Sequence, residues 1–162
     1  MEKRKIYLDH NATTPMHPKV KQKMIEAIDI FGNPSSLHQF GREAKNMINE
    51  ARNEIAGLIN AKSTEIVFVG SGSEANNSVL SMLTCPGKQC SFANAGSPHI
   101  ITTEIEHPCI LETAKCIEQT AEVEYLSVDE KGKIDPAELE SLLKDKTILV
   151  SIMMAKNEIG TM

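Results

Sequence analysis

The sequence has no apolar run long enough to cross a bilayer and no secretory leader pattern at its start. It has no excess of positive charge either, since 17 Lys and Arg stand against 22 Asp and Glu for a net charge of -5. That balance gives no general attraction to nucleic acid or to an anionic membrane surface. The basic stretch Lys3-Arg4-Lys5 reads as a solvated terminus. The four cysteines, at 85, 90, 109 and 116, form no CxxC pair and have no metal-ligand spacing with histidine, so no metal site is expected. Cys85 and Cys90 flank Pro86-Gly87-Lys88-Gln89 and read as surface thiols of a reducing compartment. Cys109 and Cys116 lie seven apart on an expected helix and read as small core residues of one face. No repeat or low-complexity tract occurs. What remains is a cytoplasmic globular chain of 162 residues, 41% hydrophobic and 24% charged, long enough for one real core.

The N-terminal part is helical in pattern. After a strand-like Ile6-Tyr7-Leu8 and a polar turn at 9–15, Pro18 suits the first turn of a helix with Val20, Met24, Ala27, Ile28 and Phe31 on its apolar face. Gly32-Asn33-Pro34-Ser35-Ser36 breaks that helix. A longer one from about Leu37 to Ile59 follows, striped by Phe40, Ala44, Ile48, Ala51, Ile55 and Leu58. From residue 65 the pattern alternates. Strands are expected at 66–69, 99–103, 123–126 and 147–153, with helices near 74–84, 109–120 and 136–144 between them. Such alternation argues a mainly parallel sheet covered by helices, and sheets of that kind bind ligands beyond the carboxyl ends of their strands.

Three stretches therefore carry the chemistry. Ile66-Val67-Phe68-Val69 reads as a buried strand that breaks through Gly70-Ser71-Gly72-Ser73 into a helix. A helix N-terminus of that kind exposes unpaired amides and a positive dipole end, a ready place for an anion. The plainer account makes Ser73 an ordinary N-cap. His107 follows the second strand and is held in extended geometry by Pro108, either as a site residue or as a structural neighbour of the next helix. Asn157, in Asn157-Glu158-Ile159-Gly160, follows the last strand and is otherwise a turn former. An anion cradle, an imidazole and an amide together suit a flat phosphorylated cofactor. A dinucleotide-binding module is disfavoured, because Gly70-Ser71-Gly72-Ser73-Glu74-Ala75 lacks the third glycine of that pattern.

Tyr7-Leu8-Asp9-His10-Asn11-Ala12-Thr13-Thr14-Pro15, Phe31-Gly32-Asn33-Pro34-Ser35-Ser36, Glu65-Ile66-Val67-Phe68, Glu106-His107 and Asn157-Glu158-Ile159-Gly160-Thr161 occur in the order and spacing of the cysteine desulfurases. The chain resembles the N-terminal part of these pyridoxal-phosphate enzymes of the class V aminotransferase group. The resemblance implies an α/β, aspartate-aminotransferase-like fold of type I, with an N-terminal arm at 1–15 and an incomplete cofactor-binding large domain at 16–162. It assigns Gly72 and Ser73 to the cofactor phosphate, His107 to stacking on the pyridine ring and proton transfer, and Asn157 to the ring hydroxyl. Ala12, Thr13 and Asn33 match the substrate-facing wall. It further implies pyridoxal 5'-phosphate as cofactor, L-cysteine as substrate, a homodimer, and a sulfur-acceptor or scaffold protein as partner, in iron-sulfur or other sulfur transfer.

Two local departures stand out. The family's Thr-Ser-Gly-Ala-Thr-Glu turn is here Val69-Gly70-Ser71-Gly72-Ser73-Glu74, and Lys156 replaces an uncharged residue before Asn157, with its ammonium expected in solvent. Family members also extend further, to a Schiff-base lysine and a sulfur-accepting cysteine that have no match here. The 162 residues alone are therefore expected to be inactive, and to associate through uncovered apolar surface. Two other accounts stay open: a selenocysteine lyase or another class V relative, and a non-catalytic fragment acting as a binding partner.

Overall fold

The computed structural model describes residues 5–84 and 97–162. Lys3, Arg4 and the cysteines at 85 and 90 lie outside the described residues. Contacts divide the chain into two compact units, Met1–Phe68 and Val69–Met162, a boundary the sequence pattern did not draw.

The first unit is helical. Helix α1 spans Pro18–Ile28 and α2 spans Gln39–Leu58, followed by a single 3-10 turn at Ser63–Glu65. Histidines start both helices: His17 Nδ1 accepts from Lys19 N and His38 Nδ1 from Gly41 N, each at 3.2 Å. Between them the chain turns at Gly32, whose φ of +142° places any Cβ within 2.7 Å of the Phe40 carbonyl, so only glycine fits. Phe31 and Phe40 stack with centroids 4.8 Å apart.

Three expectations fail here. Ile6-Tyr7-Leu8 forms no strand; instead the Tyr7 hydroxyl donates to the carbonyls of Asp9 and Thr13, at 2.8 and 3.1 Å. The apolar faces of α1 and α2 are present but open, with Met24, Ile28, Phe40 and Leu58 exposed and only Gly41 and Ala56 of α2 buried. Residues 66–69 are no buried strand either. Val67 is 77% exposed, Arg52 Nε donates to the Ile66 carbonyl at 3.2 Å, and the Arg52 guanidinium lies over the Phe68 ring. A strand needs a neighbour to exchange backbone hydrogen bonds with, and among the described residues nothing pairs with 66–69.

The second unit holds the sheet. Its elements are α3 (Gly72–Thr84), β1 (His99–Thr103), α4 (Pro108–Ile117), β2 (Glu122–Leu126), α5 (Pro136–Leu142) and β3 (Thr147–Ser151). The three strands are parallel in the order β2-β1-β3. Central β1 is buried along its whole length, as a strand covered on both faces must be. Ile100 packs with Leu80, Ile110, Ile117 and Ala121. Full burial of one such side chain stabilises by about 1.5–3 kcal/mol.

On α4 the buried stripe is Ile110, Ala114 and Ile117. Cys109 and Cys116 each precede a stripe residue by one position, which puts them on its flank. Cys109 is half-buried and Cys116 exposed, so the expectation of two core cysteines fails for Cys116. Strand β3 also ends earlier than expected, at Ser151, and is half-buried with Val150 exposed. Among the described residues it has one strand neighbour, and that edge position leaves it partly open.

At the amino end of the sheet, β1 begins with His99, fully buried, its Nδ1 2.8 Å from Thr147 Oγ1 and its Nε2 3.1 Å from Glu124 Oε2. Lys144 Nζ bridges Glu122 at 2.6 Å and Glu124 at 3.0 Å, and Lys146 also bonds Glu122. Hydrogen bonds from Lys144 and then Lys146 bring the Glu122 carboxyl down to about 2. Its folded value lies below the ordinary 4.5, so the carboxylate contributes stability above that value and loses it as pH falls toward about 2. Denaturant unfolding across that window should show a steeper acid loss in the wild type than in Glu122→Gln. Added salt should narrow the difference, because the pairs are open to solvent.

Candidate functional site

Helix α3 begins where the sequence reading placed an anion cradle, but with a different cap. Ser71, not Ser73, is the N-cap: its Oγ accepts from Glu74 N at 3.1 Å, while Glu74 Oε2 reaches back to accept from Gly70 N at 2.6 Å. The Ser71 cap closes one of the helix's orphan donors, and the Glu74 carboxylate holds the turn residue just before the cap. Ala75 N continues the helix onto the Ser71 carbonyl at 3.1 Å. The amides of Gly72 and Ser73, at the first two helical positions, have no hydrogen-bond partner among the described residues. Nothing lies within 4 Å of a Cβ built on Gly72. The end of α3 therefore offers two free N–H groups, an uncommitted Ser73 hydroxyl and the positive end of the dipole, a donor set that suits a phosphate.

His107 is the N-cap of α4. Its Nδ1 accepts from Cys109 N at 3.1 Å, with Pro108 at the first helical position. Acceptance at Nδ1 leaves the proton of the neutral ring on Nε2. Both accounts of His107 thus meet in one residue, a cap through one nitrogen and an exposed donor at the other. His17, capping α1 with the same His-Pro geometry, shows that the cap by itself says nothing of chemistry. Helices α3 and α4 are tied near their starts. Asn76 Nδ2 donates to Cys109 Sγ at 3.3 Å, and Thr113 Oγ1 donates to Asn77 Oδ1 at 2.7 Å. One turn from Ser73 and two residues from His107, the Asn76–Cys109 contact joins the cradle's helix to the imidazole's.

Asn157 is exposed in a tight turn after β3. Lys156 N donates to the Thr161 carbonyl at 2.9 Å, and Gly160 N to the Lys156 carbonyl at 2.8 Å, with Gly160 at φ +74°. A left-handed residue in that position calls for glycine. Lys156 does not face solvent as expected: its side chain is 14% exposed and its ammonium pairs with Glu158 at 3.1 Å. Ala12, Thr13 and Asn33 sit in turns of the first unit, where Asn33 Oδ1 accepts from Ser35 N at 2.9 Å.

Glu106, the residue before His107, is a buried acidic residue of this region, 5% exposed. Its signal in the sequence was slight, a lone acid next to a histidine. A separate cavity of about 300 Å³ opens beyond the sheet between Ile105, Val128, Ile134 and Met153; it is mainly apolar, and Gly72, Ser73, His107 and Asn157 do not line it. At the opposite end, donor atoms of His99, Glu122 and Glu124 lie within 4.8 Å of one another, but Lys144 and Lys146 already pair with the two carboxylates.

Residues 6–162 match the family model described as Aminotransferase class-V. The chain belongs to that family. Like a cysteine desulfurase, IscS, of Dictyoglomus turgidum, this class V chain keeps the same residue in 45% of 162 aligned positions, covering 98% of itself and 39% of that relative. Among solved structures, a NifS-like protein superposes with a TM-score of 0.86 at 35% identity, over 95% of this chain and 41% of that one. SspA in complex with cysteine superposes at 0.83 and 34% identity, over 94% of this chain and 43% of that one. The α/β fold is therefore that of the type I pyridoxal-phosphate enzymes, and the chain spans about 39% of the length of that curated relative. Class V aminotransferases depend on pyridoxal phosphate in general, and the free amides at Gly72 and Ser73 fit its phosphate.

The two serines of the cradle should separate cleanly. Ser71→Ala removes the cap and should cost about 0.5–2 kcal/mol of stability. Ser73→Ala, whose hydroxyl caps nothing, should stay within about 0.5 kcal/mol of wild type. Equal losses in urea titrations would mean that Ser73 shares the cap.

Proposed function

We propose that this chain supplies the phosphate cradle and the proton-transferring histidine of a pyridoxal-phosphate-dependent cysteine desulfurase, which takes sulfur from L-cysteine, leaves L-alanine and passes the sulfur to an acceptor protein. The similarity to a cysteine desulfurase along nearly the whole chain carries the reading. In it, the amides of Gly72 and Ser73 and the Ser73 hydroxyl hold the phosphate as an anion at a helix N-terminus. His107 keeps its plane through the cap bond to Cys109 N and holds or moves a proton at Nε2. Asn157 offers its side-chain amide to a ring oxygen, and Ala12, Thr13 and Asn33 bound the substrate. The cofactor, when bound, supplies the electron sink for bond cleavage at the amino acid. A homodimer in the cytoplasm, with a sulfur-acceptor or scaffold protein, completes the proposal.

The test uses the whole protein that carries residues 1–162, given pyridoxal phosphate and L-cysteine, with alanine and protein-bound sulfur measured. Wild type should form both in equal amounts. His107→Ala should retain the cofactor's visible absorbance yet turn over roughly a hundred- to ten-thousandfold more slowly. Ser73→Ala should weaken binding of pyridoxal phosphate but not of pyridoxal, which lacks the phosphate. Cofactor binding indifferent to the phosphate, or turnover indifferent to His107, would sink the reading.

A further inference from the structure

Glu106 is buried, yet among the described residues no basic side chain pairs with it. One of its oxygens does two jobs. Oε1 accepts from Thr103 Oγ1 at 3.0 Å and from the backbone amide of Met153 at 2.7 Å. Thr103 is the last residue of β1, and Met153 lies two residues beyond the end of β3. The register between these strands stops at Thr102 opposite Ser151, where Thr102 Oγ1 still donates to the Ser151 carbonyl at 3.0 Å. Past that pair the two chains would leave the sheet independently. The Glu106 carboxylate extends the pairing by one more link and turns the Met153 amide from the ladder onto a side chain. The next residue after Glu106 is His107, and four residues after Met153 comes Asn157.

We infer that Glu106 is a positioning residue, whose single oxygen clamps the loop carrying His107 to the loop carrying Asn157. The role rests on the reading of those two as site residues. Both donors to Oε1 are neutral, so the clamp needs an acceptor oxygen and not a charge. A glutamine keeps that oxygen. An alanine leaves a buried hydroxyl and a buried amide unpaired, each of which carries the full cost of desolvation. With Oε1 committed to the protein's own donors, Glu106 acts through its neighbours and not on substrate.

The experiment compares Glu106→Gln and Glu106→Ala in the full chain, following exchange of the Met153 amide hydrogen and the NMR signals of the His107 ring and the Asn157 side-chain amide. Glu106→Gln should keep the wild-type protection. Glu106→Ala should lose roughly tenfold or more of it, with the His107 and Asn157 signals shifting together. In the whole protein carrying the chain, Glu106→Ala should lower kcat for L-cysteine with KM little changed, and Glu106→Gln should restore it. Glutamine behaving like alanine would overturn the clamp, since charge would then be what matters. Lost protection with unmoved His107 and Asn157 signals, or with unchanged kcat, would overturn the positioning role. Absence of turnover in the wild type would instead count against the proposed function, while amide exchange still decides the clamp. Should Glu106→Ala fail to fold, Thr103→Val removes one donor and leaves the other; unchanged His107 signals there together with a wild-type-like Glu106→Gln would support a clamp held by the Met153 bond.

Discussion

Strand β1 runs between two parallel neighbours with every residue from His99 to Thr103 out of solvent, and most of the second unit follows from that. A buried strand must satisfy its backbone through ladders on both edges, which ties β2 and β3 to it in register. Because all three strands are parallel, each leaves the sheet at the same end. The loops after β1 and β3 therefore emerge side by side, and that is where His107 and Asn157 lie. Helices α3 and α4 share the core beside Ile100 through Leu80 and Ile110, so the start of α3 and the start of α4 are held by the packing that buries the strand.

The two ends of this sheet solve opposite electrostatic problems. At the amino end, His99, Glu122, Glu124, Lys144 and Lys146 form a paired network, open enough to solvent to be screened by salt. Its charges neutralise one another. At the carboxyl end, the buried carboxylate of Glu106 is met by neutral donors, and the free amides of α3 remain uncommitted. Donor capacity left unspent is what distinguishes a place for an anion from one already balanced.

Membership of the class V aminotransferase family and the geometry of the site bear on different questions. The family match covers residues 6–162 and accounts for the fold of the chain. Geometry shows which groups are spent locally: the cap on Ser71 leaves the Ser73 hydroxyl unused, and the Nδ1 cap on His107 leaves Nε2 without a part in it. The chain spans a minority of its relatives' length.

Much of this was legible in the residues themselves. Hydrophobic period and punctuation located the three strands and five α-helices of the described residues to within a few residues, with one expected strand, 66–69, failing; Pro18, Pro108 and Asp135-Pro136 mark helix starts through local sterics and capping. The motif residues Gly72, Ser73, His107 and Asn157 stood out for the same local reason, being turn and cap chemistry at strand ends. What the sequence could not decide was anything set by a neighbour distant along the chain. Val67 and Phe68 look like a buried strand, yet without a ladder partner among the described residues they stay open. Glu106 meets the Met153 amide only because β1 and β3 lie adjacent. Apolar pattern and turn residues specify what a segment prefers to be; which groups meet, and so which are spent and which remain free, is decided by the tertiary fold.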